Sequence, residues 1–259
     1  MSDLHDYADV AENYDNYVQA ISTYRDNGWE RFYLKLAKTY GAGGVIDIAC
    51  GTGVLAVPLA KKGFDVTACD ISDAMVAVTR RKLEAAGLSA RTLAADMTDF
   101  DANRQFSLAI IARSGFMHLT APEQQRRALL TIKRHLVPGG VLTLNTFQPW
   151  PSVQAEQMNT GPEDYTLRVE YINAENRRER IYNAIGYDPD TQIMRGNWKF
   201  ETLDEAGQVI DTRVRPVAMR QTYAQELKYL CELCGYEIME CKRRKEVGGH
   251  LIWLLRNPA

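Results

Sequence analysis

Long apolar runs are missing from this sequence. No stretch approaches the roughly 20 consecutive apolar residues that a membrane-spanning helix needs, and the acidic, polar segment 1–6 is unlike the start of a signal peptide. A basic excess is missing as well, because 31 Lys and Arg residues face 33 Asp and Glu residues and leave a formal net charge of -2. The sequence therefore predicts a protein with no membrane anchor and without the basic field that grips nucleic acid.

A cysteine framework for disulfides or metal is also missing. The odd number of cysteines, 5, and their apolar surroundings predict reduced thiols in a cytoplasm-like compartment. Cys231 and Cys234 have C-x-x-C spacing, but no second such pair and no histidine at metal spacing accompanies them. We expect this pair to lie on the buried side of a helix with Leu227 and Leu230, and we predict no metal site.

What the chain does contain is a regular alternation of strand and helix patterns up to residue 147. This alternation predicts a parallel sheet with helices on both faces. Thr120 and Glu123 have capping-box spacing with an early proline, so a helix is expected from there to about Leu136. Pro138-Gly139-Gly140 is expected to turn the chain into the next strand. The predicted strands are 45–49, 65–70, 90–94, 107–112 and 141–147, and the other predicted helices are 28–40, 54–62 and 74–86.

The hydrophobic pattern changes to a period of two after residue 148. Turn residues at 187–191 and 204–207 separate runs typical of antiparallel strands. The α/β pattern then resumes, with a helix at 223–234 and strands at 236–241 and 250–255. We therefore predict one core domain formed by residues 1–148 and 217–259, and an antiparallel β insertion at 149–216. The predicted strands of the insertion are 167–172, 179–187, 192–201 and 209–216.

The most informative stretch is a strand that breaks into a glycine turn and then a helix, at 45–62. Gly51 and Gly53 have no Cβ, so the backbone can turn sharply and approach a ligand closely. A phosphate-binding P-loop is excluded because no Gly-Lys-Ser/Thr follows. A dinucleotide fingerprint would place its third glycine at Ala56, where alanine is sometimes accepted. The stronger objection to a pyrophosphate is Asp47, a carboxylate inside the preceding strand that would repel it.

Two more acids fall at the ends of later predicted strands. Asp70 ends the second strand, where a carboxylate can accept hydrogen bonds from both ribose hydroxyls of any adenosine ligand, NAD included. Asp96 follows the third strand and is placed to reach an adenine amino group. The three acids in strand order predict a site for an adenosine that also carries a cationic group.

These motifs resemble those of the class I S-adenosylmethionine-dependent methyltransferases. Segments 47–53, 69–72 with Met75, 95–97 and 135–142 are similar to successive motifs of that family, although Ala49 stands where the family often has glycine. The resemblance implies a Rossmann-like α/β fold whose seven-stranded, mostly parallel sheet has an antiparallel last strand. It also implies S-adenosylmethionine as cofactor and S-adenosylhomocysteine as product.

The resemblance further implies roles for individual residues. Gly51 and Gly53 would let the backbone pass under the methionine part, and Asp47 would support its ammonium. Asp70 would hold the ribose, and Tyr14 belongs to an N-terminal segment that folds over the cofactor in many members. The cofactor-binding candidates are Tyr14, Asp47, Ala49, Gly51, Gly53, Asp70, Ile71, Met75, Asp96, Met97, Ala112 and Arg113.

The methyl acceptor is expected beside the end of the fourth strand. Arg113 could pair with the cofactor carboxylate or with an acidic substrate, and His118 could take a proton from the acceptor. No Asn-Pro-Pro-Tyr-type motif follows this strand, which disfavours nucleobase acceptors. The insertion, rich in tyrosine and arginine, resembles the acceptor-covering insert of small-molecule N-methyltransferases, including those acting on amino sugars.

The sequence thus predicts a cytoplasmic enzyme that methylates N or O of a small metabolite, without nucleic-acid or membrane partners and with self-association left open. Two alternatives remain at this stage. One is an NAD(P)-dependent oxidoreductase that uses the same glycine turn. The other is a non-catalytic module that binds S-adenosylmethionine or associates with RNA.

Overall fold

A seven-stranded sheet forms the centre of the molecule, in the order β10-β11-β5-β4-β1-β2-β3. The computed structural model describes residues 7–8, 10–20, 28–148, 151–245 and 249–258. The strands of this sheet are β1 (Val45–Ile48), β2 (Val66–Asp70), β3 (Arg91–Ala94), β4 (Phe106–Ile111), β5 (Leu136–Thr146), β10 (Glu237–Arg244) and β11 (His250–Arg256).

The direction of the strands matches the predicted fold class. The pairs β1–β2, β1–β4, β2–β3 and β4–β5 are parallel, whereas β11 is antiparallel to both of its neighbours, β5 and β10. The carboxyl ends of β1, β2, β3 and β4 therefore meet at one edge of the sheet, where ligands bind in open α/β folds. The expected mostly parallel sheet with an antiparallel last strand is confirmed.

Helices cover both faces of this sheet, as the strand–helix alternation predicts. One apolar layer joins the sheet to α2 (Gly28–Tyr40) and α3 (Ala56–Lys61). The other joins it to α5 (Pro122–Arg134) and α7 (Ala224–Leu233), and here Cys231 and Cys234 are buried with Leu227, as expected. The remaining helix beside the sheet is α4 (Asp73–Ala85), which Ser72 caps by accepting a hydrogen bond from the Met75 N–H.

The insertion folds into a separate antiparallel sheet in the order β6-β7-β8-β9. Its strands are β6 (Thr166–Ile172), β7 (Arg178–Asp188), β8 (Ile193–Leu203) and β9 (Val209–Arg220). Strand β9 continues past the predicted end at 216, because Pro216 is tolerated in a strand that lies at the edge of its sheet. The helix α6 (Pro151–Met158), which precedes this sheet, was not expected from the sequence.

The N-terminal helix α1 (Tyr14–Ala20) packs against this small sheet rather than against the large one. Tyr17 and Val18 of α1 share an apolar cluster with Tyr171, Ile181 and Phe200 of the insertion. This packing draws the N-terminal segment and the insertion to the same side of the molecule.

Two local expectations were wrong in detail. The N-cap of α5 is Ala121, whose N–H donates to Gln124 Oε1 at 3.1 Å, so Thr120 and Glu123 do not form the capping box. The helix also stops at Arg134, and β5 already starts at Leu136, before the Pro-Gly-Gly segment. Residues 137–140 bulge out of the ladder with β4, which resumes at Val141.

Candidate functional site

The chain turns sharply after β1, as the sequence predicts, and both glycines of the turn have a left-handed backbone. Gly51 has φ of +56° and Gly53 has φ of +79°. Among the described residues, a Cβ added to Gly51 would meet only Tyr14, at 3.9 Å, so this side of the turn is open to a ligand. A Cβ added to Gly53 would lie 3.0 Å from Thr79 of α4, so Gly53 serves the packing of the turn against a helix.

Asp47 is a buried carboxylate in the strand before that turn. It is 2% exposed, and its Oδ2 has no hydrogen-bond partner among the residues that the structure describes. Burial raises the pKa of Asp47 to about 7, and the nearby charge of Asp70 adds to the increase. The Ala56 N–H and the charge of Arg113 act in the opposite direction. A ligand with an N–H donor would satisfy the remaining oxygen.

Asp70 ends β2 beside the same turn. One carboxylate oxygen accepts from the Gly51 N–H at 2.8 Å and the other accepts from the Ser72 N–H at 3.0 Å. Burial raises the pKa of Asp70 in spite of these hydrogen bonds, which favour the charged form. The carboxylate is therefore held in a fixed orientation at the carboxyl edge of the sheet.

The third acid, Asp96, is exposed, and its Oδ1 accepts from the Thr98 N–H at 2.7 Å. Ile71, Met75 and Met97, apolar side chains suited to a planar ring, line the same pocket as Asp96. Met75 is buried, whereas Ile71 is 50% exposed, so a ligand in the pocket could cover it.

One pocket brings together nearly all of the predicted site residues. Gly53 alone of them does not line it. The predicted residues that line the pocket are Tyr14, Asp47, Ala49, Gly51, Asp70, Ile71, Met75, Asp96, Met97, Ala112, Arg113 and His118.

The pocket also contains residues that the sequence did not single out. Cys50, Val54 and Leu55 belong to the glycine turn itself, and their place in the motif was an available signal. Gln124 comes from the first turn of α5, where nothing in the local sequence marks it as a pocket residue.

His118, the predicted proton acceptor, lines the pocket and lies against Tyr7. The Tyr7 hydroxyl lies 3.4 Å from His118 Nε2, and the two rings are nearly perpendicular. Arg215 of β9, which is 6% exposed, places its guanidinium carbon 3.7 Å from the centre of the Tyr7 ring. The insertion therefore reaches His118 through Tyr7.

The N-terminal helix α1 is tied to both sides of the pocket. Asp15 accepts from Thr52 Oγ1 at 2.6 Å and forms an ion pair with Lys82, which also donates to the Thr52 carbonyl at 2.8 Å. On the other side, Asn16 donates to the Ile172 carbonyl at 3.1 Å. This helix is thus a strap across the glycine turn and the small sheet.

Within the described ranges, no three His, Cys, Asp or Glu side chains converge as metal ligands. No helix in the part of the chain covered by the structure has the length and apolarity to cross a bilayer. The C-x-x-C pair lies in the core, where burial raises the pKa of both thiols.

Known proteins are similar to this chain in sequence and in fold. A family profile described as a methyltransferase domain matches residues 45–140. YqeM of Bacillus subtilis (strain 168), which is named as a methyltransferase, is 30% identical over 202 residues, covering 76% of this chain and 74% of YqeM. The dTDP-3-amino-3,4,6-trideoxy-alpha-D-glucopyranose N,N-dimethyltransferase of Streptomyces venezuelae is 29% identical over 145 residues, covering 56% of this chain and 57% of that enzyme.

The alignments cover 48%, 66% and 41% of the length of three other curated relatives. The chain therefore spans about half the length of these relatives. Among solved structures, Streptomyces venezuelae DesVI superposes with a TM-score of 0.76 at 20% identity, covering 98% of this chain and 99% of DesVI. At this identity, the likeness to DesVI shows a shared fold.

Proposed function

The chain belongs to the class I S-adenosylmethionine-dependent methyltransferases, and from this premise we propose that it transfers a methyl group to N or O of a small metabolite. The observation that carries the proposal is the pocket in which Asp47, Asp70 and Asp96 meet at the carboxyl edge of the sheet. The family profile and the relatives give no support to an oxidoreductase or to a non-catalytic module.

The residues of the pocket suit the parts of S-adenosylmethionine, the cofactor of this family. The unpartnered Oδ2 of Asp47 would accept from the methionine ammonium, and Arg113 would face its carboxylate. Asp70 would accept from the ribose hydroxyls, and Ile71, Met75 and the Asp96–Met97 edge would enclose the adenine. When bound, the cofactor supplies an activated sulfonium methyl group.

The protein's own contribution is then alignment and, for a hydroxyl acceptor, proton removal. Alignment of the acceptor with the methyl group lowers the entropic part of the barrier. His118 would accept the acceptor's proton, and the Tyr7 hydroxyl, 3.4 Å from His118 Nε2, would hold the orientation of the imidazole ring. We include Tyr14 as a cofactor contact, since it lies beside the open side of Gly51.

We further propose that residues 149–216 cover the acceptor, while residues 1–148 and 217–259 bind the cofactor. Arg215 stacked on Tyr7 supports this division, because it joins the insertion to the acceptor side. The dTDP-amino-sugar dimethyltransferase among the relatives makes an amino sugar a first acceptor to test. The five cysteines, none of them in a disulfide, support a reducing, cytoplasm-like compartment.

Isothermal titration with S-adenosylmethionine and S-adenosylhomocysteine tests the cofactor assignment. We expect both to bind, and folded protein that binds neither would overturn the proposal. Methyl transfer from labelled S-adenosylmethionine to a panel of amines, amino sugars and hydroxylated metabolites then identifies the acceptor. RNA serves as the negative control in that panel, and transfer to RNA alone would exclude the small-molecule assignment.

A further inference from the structure

Arg113 and Ser114 have left-handed backbone conformations in succession, directly after β4. Their φ angles are +52° and +65°. Residues other than glycine avoid this region, because the Cβ atom then approaches the following carbonyl oxygen. Two such residues in a row persist only where the surrounding structure holds them. The first of the two, Arg113, lines the pocket.

Asn145 of β5 supplies the contacts that hold this loop. It is fully buried, on a strand that pairs with β4. Its Oδ1 accepts from the Ser114 backbone N–H at 3.1 Å, and its Nδ2 donates to Ser114 Oγ at 3.1 Å. Asn145 therefore fixes both the backbone and the side chain of the second left-handed residue.

Two further partners fix the orientation of the Asn145 amide. The Tyr33 hydroxyl donates to Oδ1 at 3.5 Å, and Nδ2 donates to His250 Nδ1 at 2.9 Å. His250 can accept only while its ring is neutral, and burial lowers the pKa of His250 to about 4. An aspartate in place of Asn145 would keep the acceptor but lose both N–H donors, and an alanine would lose all four contacts.

We propose that Asn145 is a positioning residue, which acts through Ser114 to hold the Arg113 guanidinium toward the cofactor carboxylate. Asn145 is not among the pocket-lining residues of the described chain, whereas Arg113 is. Arg113 also lies close enough to Asp47 for its charge to lower the pKa of that carboxyl group. The inference rests on the proposed use of S-adenosylmethionine, because cofactor affinity is its readout.

A double-mutant cycle tests this coupling by isothermal titration with S-adenosylhomocysteine. The proteins compared are the wild type, Arg113→Ala, Asn145→Ala and the double variant. Each single substitution should weaken binding by at least about tenfold, the size expected for a lost charge-assisted hydrogen bond. The double variant should bind no more weakly than Arg113→Ala, because Asn145 acts through Arg113.

Asn257→Ala is the matched control. Asn257 is also buried, and its Nδ2 donates to the carbonyls of Leu136 at 3.0 Å and Val137 at 3.2 Å, at the opposite end of β5. Asn257→Ala should lower Tm, as Asn145→Ala does, but should change the affinity for S-adenosylhomocysteine by less than about twofold. If Asn145→Ala does not fold, Asn145→Asp replaces it, since it keeps the side-chain volume but loses the Nδ2 contacts with Ser114 Oγ and His250 Nδ1.

Unchanged affinity in either single variant, or losses that add in the double variant, would overturn the positioning role. In those cases the proposed function would still stand, because the wild-type protein would still bind S-adenosylhomocysteine. Failure of the folded wild type to bind S-adenosylhomocysteine would instead overturn the proposed function, and the positioning role with it.

Discussion

We expect Asp47 to couple cofactor binding to protonation. In the free protein its pKa is raised to about 7, mainly by burial. A cofactor ammonium prefers the ionised carboxylate, so protonation competes with binding as the pH falls. We expect the affinity for S-adenosylhomocysteine to fall about tenfold from pH 8 to pH 6, because most Asp47 side chains are then protonated. Titration calorimetry at the two pH values measures this change.

Asp47→Asn is the control for that pH dependence. The variant should bind S-adenosylhomocysteine weakly at both pH values, and its affinity should no longer depend on pH. An equally steep pH dependence would show that another group titrates.

The raised pKa of Asp47 also affects the stability of the fold. The folded free protein holds a proton that the unfolded chain has lost between about pH 4 and pH 7, so this group's contribution to the free energy of unfolding falls as the pH rises through that window.

Asp70 is held by two backbone N–H groups and is the proposed ribose ligand. Asp70→Ala should therefore weaken S-adenosylhomocysteine binding by about a hundredfold, through loss of two hydrogen bonds to a charged acceptor. Asp65→Ala is the matched control, because Asp65 precedes the same strand at its far end and pairs with Arg104 instead. Unchanged affinity in Asp70→Ala would remove Asp70 from the site.

His118 is the proposed proton acceptor. His118→Gln keeps a polar side chain of similar reach but cannot accept a proton at neutral pH, so kcat with a hydroxyl acceptor should fall by about a hundredfold or more. S-adenosylhomocysteine affinity should stay unchanged, which separates a chemical role from a binding role. Tyr7→Phe retains the ring against Arg215 but loses the hydroxyl, and should give a smaller loss of kcat. Full activity in His118→Gln would contradict the assignment.

The helix α1 is fixed to the glycine turn through Asp15, which is bound to Thr52 and Lys82. Asp15→Asn should speed cofactor release, because the strap then leaves the turn more readily. Stopped-flow displacement of bound S-adenosylhomocysteine measures this rate. Glu12→Gln is the control, since the Glu12–Arg81 pair is exposed on the same segment and contributes little. Equal release rates in both variants would contradict the strap.

The elements of the large sheet were predictable because strand and helix periods are local properties of the sequence. The errors occurred where the local sequence allows two structures, such as two possible helix caps or two possible strand ends. Thr120 and Glu123 had the spacing of a capping box, but Gln124 reaches the Ala121 N–H instead. Pro216 suggested the end of a strand, although at a sheet edge it interrupts no ladder.

The proposed cofactor half of the site was likewise predictable, since its acids lie in or just after three successive strands, each in a short motif. The acceptor half was not. Tyr7 and Arg215 meet across more than two hundred residues of sequence, and only the tertiary fold brings Arg215 to the Tyr7 ring. Nothing in the sequence around Asn145 distinguishes it from other strand residues, because its contact with Ser114 forms only in the tertiary fold.

Cofactor binding should stabilise the molecule as a whole. A ligand present at a hundred times its Kd adds about 2.7 kcal/mol to the free energy of unfolding. For a chain of this length each kcal/mol raises Tm by roughly 2–4 °C, so S-adenosylhomocysteine should raise Tm by roughly 5–10 °C. Thermal denaturation followed by circular dichroism measures it. NAD is the control, and a shift with NAD alone would favour the oxidoreductase.

The position of β11 between β5 and β10 affects how the chain folds during synthesis. The small sheet is a meander of hairpins, so its pairings are short-range and form as soon as the ribosome releases them. Strand β5 must wait for residues 251–256, which are made after the whole insertion. Until then one edge of β5, residues 141–146, has unpaired backbone N–H and C=O groups, the kind of strand edge on which nascent chains aggregate. The pairings of the small sheet can therefore form before β11 exists, whereas the large sheet needs a strand that is translated after the whole insertion.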